Sequence, residues 1–211
     1  VVINGSQQQW LTRNSEVEVW TNAVWNQVFA GVEGAPDDSG FPSPPYTTLD
    51  TTPVSREKPW LQADGTGGFQ VQVPDAHTDT RGTSWADDAT SGRTLPLSAF
   101  YVAKPSDSAK AINAQLARGK NLLLTPGIYD IDRSIDVKRP GTVVLGMGHA
   151  TLTAVGGATP LTVWDRAGIV VAGVTIDAGT KESPVLLQVG PPERGASQAN
   201  PPAAQRSTAS N

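Results

Sequence analysis

Asp165 and Asp177, which follow short apolar runs, and after them Glu182, are the candidate carboxylates in the second half of this chain. Two carboxyl groups held about 5–10 Å apart can share the cleavage of a glycosidic bond, one as the protonated acid and the other as nucleophile or base. Asp177 follows Val174-Thr175-Ile176 at a corner, so its plain alternative is a turn carboxylate that accepts backbone N–H groups. Trp164 and Arg166 flank Asp165 and are the candidates for holding a substrate. Arg133, Arg139 and Arg166 offer a proton-abstracting base for lyase chemistry, but no dense aspartate cluster that would hold calcium accompanies them. His77 and His149 are the only histidines and stand in no zinc-ligand pattern, and cysteine is absent. No metal site and no cofactor are expected.

These groups must be positioned by the stretch from Asn121 to Gly190. It repeats short β-branched runs separated by corners: Leu122–Leu124, Thr142–Leu145, Ala150–Thr153, Leu161–Trp164, Ile169–Val171, Val174–Ile176 and Val185–Val189. These runs are too short for helices and too apolar for loops, so they read as strands. Thr125-Pro126-Gly127, Arg139-Pro140-Gly141, Gly146-Met147-Gly148, Gly156-Gly157 and Ala178-Gly179 supply the corners. No long amphipathic helix separates the runs, which excludes βαβ winding, and no Asn-Gly or Asp-Gly hairpin signals a meander. Strong runs at Leu123, Val144, Val163 and Val185 recur about every twenty residues, the spacing of a chain that climbs one coil per turn and stacks each of these strands on its predecessor, in an all-β, right-handed parallel β-helix, the first coils of a longer solenoid. Strand alternation sends Tyr129, Ile131, Ile135 and Val137 inward, and Asp130, Asp132 and Asp136 to a solvated face.

Ser106–Arg118 is the one convincing helix, with Ser106 or Asp107 as N-cap, Ala109, Ile112 and Leu116 on one stripe, and Gly119 beyond its end. Lying just before the first coil, it would cap the exposed end of the stack. Residues 101–190 therefore form the capping helix and first coils. Residues 1–100 are rich in aromatics and proline without a sustained period. They are expected to form an irregular segment with hardly a core of its own, laying Trp10, Trp20, Trp25, Phe29, Phe41 and Trp60 on the β-helix, with sugar stacking as the alternative. Within it, Phe69–Val73 alternates as an edge strand. Asp75, Asp79, Asp87 and Asp88 read as solvated surface. Residues 191–211 are a Pro-, Ala- and Ser-rich tail, expected to be disordered or the product of a frameshift.

The apolar fraction is 38% and the net charge -4, with no Lys/Arg cluster, so a nucleic-acid groove is not expected. No apolar run approaches bilayer-spanning length. The chain opens Val1-Val2-Ile3-Asn4 without a start methionine or signal segment, and is expected to be a piece of something longer.

Lys104-Pro105-Ser106-Asp107-Ser108-Ala109, followed by Gly119-Lys120-Asn121-Leu122-Leu123-Leu124-Thr125-Pro126-Gly127-Ile128-Tyr129, resembles the opening unit of the pectate-lyase-like β-helix superfamily. Val171–Gly179 is similar to its coil motif. With Val24–Phe29 and Pro44–Leu49, residues 9–190 resemble secreted bacterial proteins related in fold to the glycoside hydrolase family 55 exo-β-1,3-glucanases. The resemblance implies a secreted carbohydrate-active protein acting on a β-glucan, with its general acid in later coils, a polysaccharide as ligand and a downstream β-helix domain as partner. The piece alone is then expected to be inactive. A non-catalytic polysaccharide-binding or scaffold module and a polysaccharide lyase are the alternatives.

Overall fold

The computed structural model describes residues 2–3, 10–21, 27–38, 46–83 and 91–190, and the chain divides into two compact units, Val1–Ser98 and Ala99–Asn211. Phe41 and Trp25, Asp87 and Asp88, and the tail after Gly190 lie outside the described residues. No helix among the described residues is long and apolar enough to cross a membrane.

The first unit opens with β1 (Val2–Ile3), β2 (Trp10–Glu16), β3 (Trp20–Thr21), β4 (Gln27–Glu33) and β5 (Tyr46–Leu49), and every pairing among them is parallel. Trp10, Gln27 and Tyr46 fall in one column and Thr12, Phe29 and Thr48 in another, so the chain already climbs coil upon coil here. The expectation that this segment lacks its own core is corrected. Val17, Phe29 and Val32 are buried together, and the Trp20 ring meets Phe29 and Tyr46 edge-on at 5.5 and 5.4 Å. Trp20 and Phe29 thus serve packing inside this unit. The repeat is hard to read in the sequence because its first corner is polar and only the matching corner of the next coil is a glycine, Gly31 at φ 60°. At the first, Asn14 turns with φ 45°, fully buried, and its Oδ1 accepts from the Thr52 and Thr80 hydroxyls at 2.8 and 2.9 Å.

Antiparallel pairs follow: β6 (Thr52–Arg56) with β9 (Ala76–Thr80), and a sheet in which β8 (Phe69–Pro74) lies between β7 (Trp60–Ala63) and β10 (Gly92–Pro96). Phe69–Val73 is therefore a central strand rather than an edge. In the loop between β7 and β8, Asp64 Oδ1 accepts from Thr66 N at 2.8 Å, Gly68 N at 2.8 Å and Thr66 Oγ1 at 2.9 Å. The Thr66 amide, then the Gly68 amide and the Thr66 hydroxyl, hold this carboxyl below its ordinary value. A carboxyl whose folded pKa is depressed stabilises above its unfolded pKa and loses that contribution as pH falls through the folded value. The Thr66 and Gly68 amide resonances are therefore expected to hold steady from neutrality to below about pH 4 and then to shift together. A shift centred above that point would contradict the bonded carboxylate.

The second unit comprises β11 (Phe100–Ala103), α1 (Ala109–Ala117), β12 (Asn121–Leu124), β13 (Gly127–Ile131), β14 (Ile135–Val137), β15 (Val143–Ala154), β16 (Leu161–Val163), β17 (Val170–Asp177) and β18 (Leu187–Val189). All its pairings are parallel. They make three faces: β11, β12 and the first arms of β15 and β17; β13 and the second arms of β15 and β17; and β14, β16 and β18. The expected stacking of the four strong runs on one another is corrected accordingly. Leu123 stacks on Leu145 and then Ala172, whereas Val163 belongs to the third face with Val137 and Val189, and Val185 lies in no strand. Each coil is three short strands, so successive apolar runs are mostly neighbours around a coil.

The inward set is as alternation predicts: Tyr129, Ile131, Ile135 and Val137 are fully buried with Leu122, Leu124, Val144 and Leu152. Tyr129 Oη lies 2.9 Å from both the Ala103 and Thr125 carbonyl oxygens, and burial pushes its phenol above the ordinary range. The Pro-Gly-x-Tyr sequence thus ties one corner to the strand below it.

Ala109, Ile112 and Leu116 of α1 are buried in the same core. The N-cap is Ser108, whose Oγ accepts from Ala111 N at 3.2 Å, and not Ser106 or Asp107. Asp107 is engaged elsewhere, accepting from Tyr101 Oη and Lys104 N at 2.9 Å each. Gly119, at φ 89°, donates to Leu116 O while Lys120 N donates to Gln115 O, closing the helix with a left-handed residue. The capping expectation takes a concrete form at Asn113. Its Nδ2 donates to Ser134 O at 2.7 Å and its Oδ1 accepts from Asp136 N at 2.8 Å, so one carboxamide pairs with the first strand of the third face as a neighbouring strand would. Asn113→Ala is expected to lower the stability of this unit by about 1–3 kcal/mol, read from the urea midpoint. An unchanged midpoint would mean that water replaces the carboxamide at no cost.

Candidate functional site

Stacking decides which polar groups share a surface. On the second face, Asp130, Thr153 and Asp177 form one outward row, and Ile128, Thr151 and Thr175 the row beside it. Asp130 and Asp177 are both exposed and are separated by two strand spacings, about 10 Å between backbones. That is near the upper end of the carboxyl separation used by inverting glycoside hydrolysis, about 6.5–9.5 Å. Asp177 ends β17 within the ladder rather than in the loop after it. Asp130 was passed over because alternation marks it only as outward. Its alignment with Asp177 is a property of coil stacking.

The other candidates fall elsewhere. Trp164 follows β16, is half-buried, and carries Lys138 Nζ 4.9 Å above its ring; the same ammonium lies 2.9 Å from Asp136 Oδ2. One ring face is thus occupied by a cation that is itself held by a carboxylate. Asp165 and Arg166 are exposed in the turn beyond, where the Arg166 guanidinium donates to the Asp165 backbone oxygen at 2.7 Å. Glu182 is exposed in the loop before β18. The structure brings Trp164, Asp165 and Arg166 together by sequence adjacency alone, and Asp177 belongs to a different face.

His77, on β9, lies with Nε2 3.1 Å from Ser91 Oγ, and His149 is exposed at the corner of β15. Among the described residues no three His, Asp or Glu side chains converge. Among the described residues, each unit holds a cleft. One, of about 560 Å³, runs between α1 and the third face and is lined by Asn113, Leu116, Asp136, Lys138, Arg139 and Thr142 among others. The other, of about 580 Å³, lies in the first unit near Asp37, Asp38, Asp50 and Arg81. Asp165, Arg166 and Asp177 line neither.

Three parallel faces, wound coil by coil and closed at one end by a helix whose side chain mimics a strand, define a parallel β-helix of the pectate-lyase kind. The model of the LAM55 pectate lyase-like domain matches residues 100–209, just over half of the 211 residues, and the chain belongs to that family. The match runs past Gly190, where the resemblance read from the sequence stops.

Over 185 residues the chain is 52% identical to an exo-β-1,3-glucanase of Streptomyces sp. strain SirexAA-E; this covers 88% of the chain and 30% of that enzyme. The structure of sacteLam55A from the same organism superposes with a TM-score of 0.86 at 52% identity, over 90% of this chain and 34% of that one. A variant of sacteLam55A in complex with glucose superposes with a TM-score of 0.83 over 87% of this chain and 33% of that one. The chain therefore spans about a third of the length of the proteins it resembles.

Proposed function

We propose that this chain forms the opening coils of a secreted glycoside hydrolase that acts on a β-glucan, and that the residues performing hydrolysis lie outside residues 1–190. The carrying observation is the 52% identity to an exo-β-1,3-glucanase over 88% of the chain, together with coverage of only 30% of that enzyme. A β-helix supports this use because its stacked strands present long, regular outward rows suited to a polymer. On this reading Asp130 and Asp177 are solvated face residues.

The test is made on the longer protein containing this chain, with release of reducing sugar from laminarin as the readout. Wild type is expected to hydrolyse laminarin, the 211-residue chain alone is expected to show no turnover, and Asp177→Asn and Asp165→Asn in the longer protein should keep kcat within about twofold. A loss of about a hundredfold or more in Asp177→Asn, the scale expected on removing a general acid or base, would move the chemistry onto the Asp130–Asp177 row. No hydrolysis of any glucan by the longer protein would end the proposal.

A further inference from the structure

On one face of the sheet of β7, β8 and β10 the strand residues carry no charge; Asp64 lies just beyond the Gln62–Gln70 row, and the Arg56 guanidinium donates to Pro74 O at the other end. The register of the sheet sets Trp60, Gln72 and Thr94 in one row, Gln62, Gln70 and Pro96 in the next, and Pro74 beside Gly92 at the end. Trp60 and Thr94 are exposed and flank the nearly buried Gln72, Pro96 is exposed in the next row, and Val71 and Val73, which point to the other side, are fully buried. Side-chain bonds pre-set the polar groups: Trp60 Nε1 donates to Gln62 Oε1 at 2.8 Å, and Thr94 Oγ1 donates to Gln72 Oε1 at 2.7 Å. Each bond engages a carboxamide oxygen, so each amide presents its N–H donors.

In a chain with 16 basic and 20 acidic side chains, a surface of tryptophan, three glutamines and a threonine is selective by what it lacks. An ionic partner would surrender hydration over these strands, where no strand side chain offers an opposite charge. A neutral sugar chain fits. Its apolar ring face can lie on the indole, and its hydroxyls can exchange donors and acceptors with the amides and Thr94. Three strands about 4.8 Å apart make each row about 10 Å long, the scale of a short oligosaccharide rather than of one ring.

We propose that this face binds a neutral glycan chain. The neutral class rests on the face alone; that the glycan is a β-glucan rests on the function proposed above.

The test is affinity electrophoresis of the 211-residue chain in gels containing laminarin, with a neutral β-1,4-glucan and polygalacturonate in parallel. Laminarin is expected to retard the chain and polygalacturonate is not. Trp60→Ala should weaken the apparent affinity about tenfold or more, about 1.4 kcal/mol, and Gln62→Ala should weaken it in the same direction. Trp10→Ala, which alters a tryptophan 45% exposed on β2, should leave it unchanged. Gln62→Ala also carries the test if Trp60→Ala does not fold.

Absence of retardation by either neutral glucan, retardation that survives both Trp60→Ala and Gln62→Ala, or stronger retardation by polygalacturonate would each overturn the site. So would a chain that is dimeric by size exclusion and becomes monomeric on Trp60→Ala, since the face would then seat a second copy. Retardation by the β-1,4-glucan alone, lost in both variants, would uphold the site and show that its glucan is not the β-1,3-linked one. Failure of the longer protein to hydrolyse glucans, with retardation intact, would sink the hydrolase reading and leave this one standing.

Discussion

Replacing Leu152 with alanine is expected to cost the β-helical unit about 2–5 kcal/mol. Leu152 is fully buried and stacks between Tyr129 of the coil before and Ile176 of the coil after. In a solenoid each rung touches only its neighbours. The parallel ladder holds adjacent strands about 4.8 Å apart, so the backbone cannot move inward to fill the space left by the missing side chain. The transfer and cavity contributions therefore add, and the upper half of the range is expected. At about 4–8 °C per kcal/mol for a unit of roughly 100 residues, that upper half, about 3.5–5 kcal/mol, lowers the thermal midpoint by about 14 °C or more. Leu152→Met, which conserves volume, should cost less than about 1.5 kcal/mol. Equal effects of the two substitutions would contradict the rung geometry.

Gly146→Ala should act through the backbone. Gly146 sits where the first arm of β15 ends, and a Cβ there would run into the carbonyl oxygen of Gly173 in the next coil, with the Ala150 Cβ at 3.2 Å behind it. Gly173 holds that oxygen in place by turning at φ 69°, a conformation in which other residues are strained. Four residues, 146–149, bulge on β15 against this single residue on β17. With neither backbone free to yield, the expected cost is about 1–3 kcal/mol, concentrated at one seam. Hydrogen exchange would show it as faster opening of the Val170–Val174 amides, while the β13–β15 amides keep most of their protection. Uniform acceleration across the unit would instead point to a diffuse loss of core packing.

The helix and the inward residues were legible because both signals are local. A stripe at Ala109, Ile112 and Leu116 needs only helical geometry, and the burial of Tyr129 and Ile131 beside exposed Asp130 needs only the two-residue period of a strand. The N-cap was misplaced by a residue or two because Asp107, a good cap by type, is taken by Tyr101 and Lys104, one of them on another strand. The parallel coils of the first unit went unread for a related reason. Their first corner is a buried Asn14, bonded to Thr52 and Thr80 far along the chain, and only its counterpart in the next coil, Gly31 at φ 60°, is a glycine.

By itself, then, the sequence determined that the second half is built of short parallel strands with glycine corners and a helical plug, and which side chains enter the core. Only the tertiary structure decided which strands lie one above another. It placed Leu123 under Leu145 rather than in line with Val163, and Asp130 in the row of Asp177. Alternation is set by dihedral preferences within a strand, whereas the register between coils is set by how much chain each corner consumes. Corners here range from the single Gly173 to the loop of residues 178–186. Loop closure costs free energy that grows only slowly with length, so apolar patterning in the strands carries no record of it. The rows in which glycan chemistry is sought therefore emerge only when the coils are stacked.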